Sequence, residues 1–358
     1  LEKAIASYEA ALTVRTREIL PRDWAQTQYN LGIAYEGRIQ GDRADNLEKA
    51  ITAYEAALTV RTREAFAQDW ARTQMNLAIA YGDRIRGDRA DNLEKATAAS
   101  QAALIVFTRE TRPRDWAMAQ NNLANAYADR IRGDRADNME KAIVAYEAAL
   151  SVFTRETEQH YWARTQNNLA SAYRTRIRGE RSDNLEKAIS SYEAALTVFT
   201  RETLPQDWAQ TQNNLAITYR DRIQGHRADN LEKSISAYKA ALTSVTREAT
   251  PHAWAQIQNN LAYSYQTRIQ GDQADNLEKA LAGYEAALTV RTREALPRDH
   301  LVTGRWLGEA QLQAKRFLQA QLTLKSAEQA FLLLLGQGLN EADAQDLLLK
   351  AGSLFSSS

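Results

Sequence analysis

The stretch from residue 24 to residue 58, WAQTQYNLGIAYEGRIQGDRADNLEKAITAYEAAL, decides the fold. Its first half places Trp24, Leu31, Tyr35 and Ile39 at spacings of seven, four and four, one face of a 3.6-residue helix. Its second half puts Leu47, Ala50, Ile51, Tyr54, Ala57 and Leu58 on one face in the same way. A first helix is therefore expected from Trp24 to Gln40, with Asp23 as its N-cap and Gly41 as its stop. A second is expected from Leu47 to about Glu64, with Asp45 and Glu48 as a capping box and Pro21 marking the preceding type of connection as a breaker. No stretch alternates with period two, so no sheet is expected.

The pattern recurs. The string at Leu1-Glu2-Lys3-Ala4 returns at Leu47, Leu93, Met139, Leu185, Leu231 and Leu277, each 46 residues on, and Trp24 returns at Trp70, Trp116, Trp162, Trp208 and Trp254. A fixed period of this length means a solenoid whose units bury their apolar faces only against neighbours. Residues 1–22 read as an orphan second helix, residues 23–298 as six long units, and residues 299–338 as a short atypical unit restored by Trp306-Leu307-Gly308. Residues 339–358 read as a capping helix, with Asn340 before Glu341 to about Leu354, and a Ser tail.

The order Asn30-Leu31-Gly32-x-x-Tyr35 followed by Ala50-x-x-x-Tyr54-x-x-Ala57 resembles the tetratricopeptide repeat. That resemblance implies an all-α fold, an α-α superhelix of antiparallel helix pairs whose first helices line a groove for a protein partner. The unit departs from the common repeat of about 34 residues by about six extra residues between Tyr35 and Ala50 and about six between Leu58 and Gln74. Such long units look like those of kinesin light chains and, in the wording NLEKAIxAYEAAL, like the arrays that precede caspase-like CHAT domains in bacteria.

Composition removes several functions. Forty-five Lys and Arg balance forty-five Asp and Glu, so no basic excess exists to release counterions from a nucleic acid or to seek an anionic membrane. The absence of Cys removes disulfides and thiolate sites and fits a cytoplasmic setting. The longest apolar run, Ala330 to Leu335, is far shorter than the roughly 20 residues of a membrane span. The opening Leu1-Glu2-Lys3 reads as the start of an excised piece. His160, His226, His252 and His300 occupy different places in the repeat, share no i,i+4 partner and read as surface substitutions. Asp42, Asp45 and Asn46 lack the glycine spacing and terminal Glu of a calcium loop, and the Arg86-Gly87-Asp88 adhesion tripeptide falls where every unit needs a helix stop. No catalytic residue, metal site or cofactor is expected; the chain reads as no enzyme.

Comparison among the units divides the first helix into faces. Trp24, Gln28, Leu31, Tyr35, Arg38 and Ile39 are identical in all six units and are expected to be buried. On the opposite side the residues change: Ile33, Ile79, Asn125, Ser171, Ile217, Tyr263 at one position, and Glu36, Gly82, Ala128, Arg174, Arg220, Gln266 at another. A stripe that varies over a constant core is expected to touch something outside. At its edge stand the invariant Asn30, Asn76, Asn122, Asn168, Asn214 and Asn260. They form either a ladder that grips the backbone of an extended peptide or bonds to neighbouring helices within the solenoid. The Trp series reads as packing staples, and the series Arg38, Arg84, Arg130, Arg176, Arg222 and Arg268 as partners of a second-helix Glu such as Glu48 or Glu55. Arg174 and Arg220 read as contacts for an acidic partner.

The expected partner-binding set is Asn76, Asn121, Asn122, Asn125, Asn167, Asn168, Ser171, Arg174, Asn213, Asn214, Arg220, Asn260 and Tyr263. The function expected is a protein-interaction scaffold that holds a peptide segment in its groove, with neither nucleic acid nor membrane as partner. Two other readings stay open: a regulatory arm of a larger protein carrying a caspase-like protease or other effector, and a self-associating spacer.

Overall fold

The computed structural model of the chain describes residues 1–339. Among these residues there are fifteen helices and no strand, as the missing period-two alternation requires. The expected cap at Asn340, the helix to Leu354 and the Ser tail lie outside the described residues. The chain divides into two compact units, Leu1–Asn184 and Leu185–Ser358.

In the first unit α1 (Glu2–Leu12) precedes three pairs: α2 (Pro21–Glu36) with α3 (Arg43–Leu58), α4 (Arg63–Asp83) with α5 (Arg89–Leu104), and α6 (Pro113–Asp129) with α7 (Arg135–Leu150). The helix α8 (Gln159–Thr175) follows, and α9 (Arg181–Leu196) carries the division between the units. The second unit continues with α10 (Pro205–Asp221) and α11 (Arg227–Leu242), α12 (Pro251–Gln266) and α13 (Gln273–Leu288), and α14 (Pro297–Gln313) and α15 (Phe317–Gly336). Within each unit a first helix packs on its own second helix, on the second helix of the pair before it and beside the neighbouring first helices. A 16-residue helix such as α3 is about 24 Å long at 1.5 Å per residue.

Both expected helix frames shift towards the N-terminus. The first helix begins at Pro21, not Trp24, and no side chain caps it; the Leu20 carbonyl accepts from Trp24 N at 2.8 Å. Proline suits that first position because its missing N–H is one the helix could not have satisfied. Asp23 lies inside the first turn, where its carbonyl accepts the Thr27 hydroxyl at 2.7 Å. The helix stops at Glu36, capped by Gly37, rather than running to Gln40. The second helix begins at Arg43 and ends at Leu58, and its cap is Asp42, whose carboxylate accepts from Asp45 N at 2.8 Å. Gly41 is no helix stop: it turns the loop at φ +81°, a conformation only glycine enters without strain, and Gly87, Gly133, Gly179, Gly225 and Gly271 repeat it.

The shift also corrects one face. Ile39 was expected in the core, yet it is 94% exposed, and Ile85, Ile131, Ile177, Ile223 and Ile269 are 56–62% exposed. They stand beyond the last helical turn, where the 100° rotation that assigned them to the core no longer applies. Leu31, Tyr35 and their counterparts Leu77 and Tyr81 are buried as expected. The deepest layer comes from the second helices, where Leu47, Tyr54, Leu93, Met139, Tyr192, Leu231, Tyr238 and Tyr284 are fully buried. The Trp residues are half-buried wedges: Trp116 packs against the Met75, Ala103 and Phe107 cluster and also against the Ala149 and Phe153 cluster, so one ring joins successive pairs.

The Arg series does pair with glutamate, across pairs. Arg84 Nε and Nη2 donate to Glu48 Oε1 and Oε2 at 2.8 and 2.7 Å, and Arg130–Glu94, Arg176–Glu140, Arg222–Glu186 and Arg268–Glu232 repeat the fork. Nη1 of each reaches an asparagine of the next helix start, as Arg84 does to Asn92 Oδ1 at 3.3 Å, and Asn92 Nδ2 donates to the Arg86 carbonyl at 2.9 Å. Asn46 and its counterparts thus close the interhelix loop, a role the sequence reading did not give them. Glu55 instead accepts from the Tyr81 hydroxyl.

The hydrogen-bonded guanidinium holds Glu48, Glu94, Glu140 and Glu232 below the ordinary carboxylate value of 4.5. A carboxylate whose folded pKa is depressed stabilises the fold above its unfolded value and loses that contribution as pH falls through the folded one. The urea midpoint is therefore expected to be level near neutral pH and to fall once the pH drops below about 4.5. A Glu94→Gln variant should lose less between pH 7 and pH 3 than the parent; equal losses would remove the clamp from the acid response.

Candidate functional site

The variable stripe of the first helices is less free than its variation suggests, because neighbouring first helices lean on it. In the first unit Tyr29 is buried, its ring 6.0 Å from that of Tyr54, and its hydroxyl accepts from Asn76 Nδ2 at 3.1 Å. Asn121 Oδ1 accepts the Thr165 hydroxyl at 3.1 Å. Asn125 Oδ1 accepts from both Tyr146 Oη at 2.6 Å and Asn168 Nδ2 at 3.1 Å, and Asn167 Nδ2 reaches Asn168 Oδ1 at 3.4 Å. Asn122 and Ser171 are half-buried, and the Arg174 carbonyl accepts from Arg181 Nη1. Two members of the Asn ladder, Asn76 and Asn168, thus have their amide hydrogens engaged by the preceding helix.

The second unit differs. Asn213 Nδ2 reaches Asn214 Oδ1 at 3.5 Å, but Asn213 Oδ1 is buried and accepts no hydrogen bond. The register explains this: Thr165 faces Asn121 from 44 residues on, and the same step from Asn213 arrives at the buried, apolar Ile257. Asn259 Oδ1 is likewise buried without a donor; Thr303, the residue at the same step, accepts from Arg291 Nη1 at 3.0 Å.

Here α10, α12 and α14, with the first residue of α11, enclose a cleft of about 370 Å³ lined by Arg220, Asp221, Arg227, Asn259, Asn260, Tyr263, Val302 and Trp306. Three residues expected from the sequence, Arg220, Asn260 and Tyr263, meet in it. Arg220 Nε donates to Asp221 Oδ1 at 3.1 Å, and its guanidinium lies 5.3 Å from the Tyr263 ring centre. Tyr263 in turn meets Trp306 edge to face at 4.8 Å and 72°. Burial works to lower the Arg220 pKa, but the Tyr238 oxygen and the Asp221 carboxylate outweigh it and the net direction is upward. Asn259, Asp221 and Trp306 were not in the expected set, although Asn259 stands at the repeat position of Asn121, Asn167 and Asn213, which were; its missing donor depends on a residue in another helix.

A second cleft, of about 310 Å³ in the first unit, lies among Arg22, Gln26, Arg61, Phe66 and Asp69. Its chemistry is already spent, since Arg61 donates to Thr73 Oγ1 at 3.0 Å and Gln26 Oε1 at 2.6 Å and lies 4.4 Å from the centre of the Tyr29 ring. Of the histidines, His160, His226 and His252 are exposed, but His300 is not a surface substitution. It is half-buried, with Nδ1 2.9 Å from the Arg291 carbonyl and Nε2 2.9 Å from Ser326 Oγ, and so ties α14 to α15. Among the described residues no group of three or more His, Cys, Asp or Glu is placed to hold a metal ion, and no helix is long and apolar enough to cross a membrane.

The tetratricopeptide repeat model matches residues 116–156, 162–196, 208–242 and 254–300. The chain belongs to the tetratricopeptide repeat family. Its fold is the all-α, tetratricopeptide-like superhelical solenoid, and solved structures share it. The apo form of RapI is similar with a TM-score of 0.55 and 13% identity over 88% of this chain and 99% of that one. A chain of the APC/C hetero-tetramer Cut9–Hcn1 is similar with a TM-score of 0.51 and 15% identity over 97% of this chain and 59% of that one. Identities this low establish the fold alone. No curated protein matches the chain by sequence. In the tetratricopeptide frame the cleft lies between the first helices of three consecutive pairs.

Proposed function

We propose that this tetratricopeptide chain is a binding module that holds a peptide segment of a protein partner against the first helices, without catalysing a reaction on it. The observation that carries the reading is the convergence of Arg220, Asn260 and Tyr263 on one cleft, because these residues were singled out by variation or polarity alone. Donor and acceptor side chains beside aromatic rings are what recognition of an extended main chain uses. The same fold is commonly a scaffold rather than a catalyst. Unlike Asn76 and Asn168, Asn214 and Asn260 do not donate their amide hydrogens to a neighbouring first helix, so both are open to a ligand.

A displayed library of random peptides, selected on the chain and then measured by fluorescence anisotropy, tests this. The double variant Asn214→Ala, Asn260→Ala is expected to keep the helical circular dichroism of the parent and to weaken the selected peptides about tenfold, roughly the worth of one or two hydrogen bonds. A selection that yields no peptide, or peptides that bind parent and variant equally, would overturn the reading.

A further inference from the structure

We infer that the cleft among α10, α12 and α14 is a subsite for one bulky, uncharged residue of the bound segment, taken together with its own peptide group. The inference rests on the peptide-binding reading above and adds the chemistry of what is recognised. It begins with Asn259, whose residue is 9% exposed and whose Oδ1 is buried with no donor. A buried amide oxygen without a donor is costly, and a ligand N–H that reaches it recovers that cost on binding. The same position in the first unit has a donor in reach, since the Thr165 hydroxyl, which also reaches the Tyr161 carbonyl at 2.7 Å, stands 3.1 Å from Asn121 Oδ1.

Opposite requirements meet at Arg220. Its side chain is 21% exposed and only Nε is committed, to Asp221, so its terminal nitrogens remain as donors. Arg220 was expected to contact an acidic partner, but Asp221 already holds its charge at 3.1 Å and would repel a second carboxylate. Arg227, the other cation of the lining, gives Nη1 to the Arg220 carbonyl, which fixes its position while it keeps its charge. The fitting acceptor for Arg220 is therefore a neutral carbonyl. One acceptor at Asn259 and one donor set at Arg220 complement the N–H and C=O of a peptide.

Part of the remaining wall is apolar. Trp306, fixed edge to face against Tyr263, and Val302 close the side towards α14. At about 370 Å³ the cleft is at the small end of ligand pockets, which run from about 300 to 1,000 Å³. That is room for a single residue rather than a run of them.

Capped single residues test the subsite without knowledge of the partner. Saturation-transfer NMR on the full chain is expected to detect N-acetyl-phenylalaninamide more strongly than N-acetyl-alaninamide, and the α-amide of N-acetyl-glutamate least. Asn259→Met removes the acceptor with a side chain that the chain already uses at this position, as Met75. It is expected to hold or raise the melting temperature while weakening the phenylalanine probe about tenfold. Arg220→Gln, the residue found at this position as Gln266, serves as a second variant should the first fail to fold, with the same expected loss. Preference for the glutamate probe, unchanged phenylalanine binding in the folded variants, or no binding of any probe would overturn the subsite. None of these outcomes touches the library selection, which alone decides the peptide-binding reading.

Discussion

Truncation of Tyr146 to alanine is expected to remove about 3–5 kcal/mol of stability, the range for deleting a large buried ring. Tyr146 is 3% exposed in α7, and its hydroxyl donates to Asn125 Oδ1 at 2.6 Å. Burial pushes its phenol well above the ordinary value, so it stays a neutral donor at any working pH. The loss has two parts that a second substitution separates. Tyr146→Phe keeps the ring and removes the hydroxyl, leaving Asn125 Oδ1 with Asn168 Nδ2 alone, and is expected to cost about 1 kcal/mol.

Because a solenoid is stabilised by nearest-neighbour contacts, the damage should be confined. Amides of α6 and α7 are expected to exchange faster in Tyr146→Ala, while those of α12 and α13 keep the rates of the parent. The chain itself contains a comparison. Ser100 occupies the same register in α5, fully buried, with its hydroxyl turned back to the Ala96 carbonyl at 2.9 Å. That pair lacks both ring and cross-helix bond, and α5 is expected to exchange faster than α7 in the unaltered protein. Urea unfolding followed by circular dichroism gives the first number and hydrogen exchange the second; a loss below about 1 kcal/mol for Tyr146→Ala would show that the ring is replaceable by repacking.

The features legible in the sequence were those that repeat with the helix. Leu31, Tyr35 and Tyr54 declared themselves because a 3.6-residue period keeps them on one side, and Arg84 was assigned to a glutamate because its place beside the core demanded a counter-charge. Ile39 fits the same rotation but lies three residues past Glu36, where the chain has left the helix. Asp23 has the chemistry of a cap but lies inside the first turn, because Pro21 sets the helix start. At the candidate site, Arg220, Asn260 and Tyr263 were visible as variation or polarity on one stripe. Asn259 shares the register of Asn121 and Asn213, but its orphaned oxygen was not legible, because it depends on the Thr303 hydroxyl of the next first helix accepting from Arg291 without reaching the amide. Such a dependence is a relation between helices, and no single window of sequence contains it.

The second large effect concerns that relation between helices. Arg130→Ala is expected to cost about 2 kcal/mol, the scale of hydrogen bonds to charged groups reduced for partial exposure. The guanidinium gives Nε and Nη2 to Glu94 at 2.8 and 2.7 Å and Nη1 to Asn138 Oδ1 at 3.4 Å, with the Arg and Glu side chains 24% and 28% exposed. Asn138 is 2% exposed and also holds the Arg132 carbonyl at 2.8 Å, so losing the arginine loosens the loop that leads into α7. Lysine should not restore the loss, since a single ammonium cannot reproduce a two-pronged fork. A cycle with Glu94→Ala isolates the pair, and a coupling of about 1 kcal/mol or more is expected. The placement matters more than the size: Glu94 lies on α5 and Arg130 caps α6, so the bond joins one pair to the next. Weakening it should lower the slope of unfolding against urea as well as the midpoint, because pairs that are less coupled unfold less cooperatively. An unchanged slope with a lowered midpoint would assign the clamp to the stability of a single pair, and an unchanged midpoint would remove it from the fold's energetics altogether.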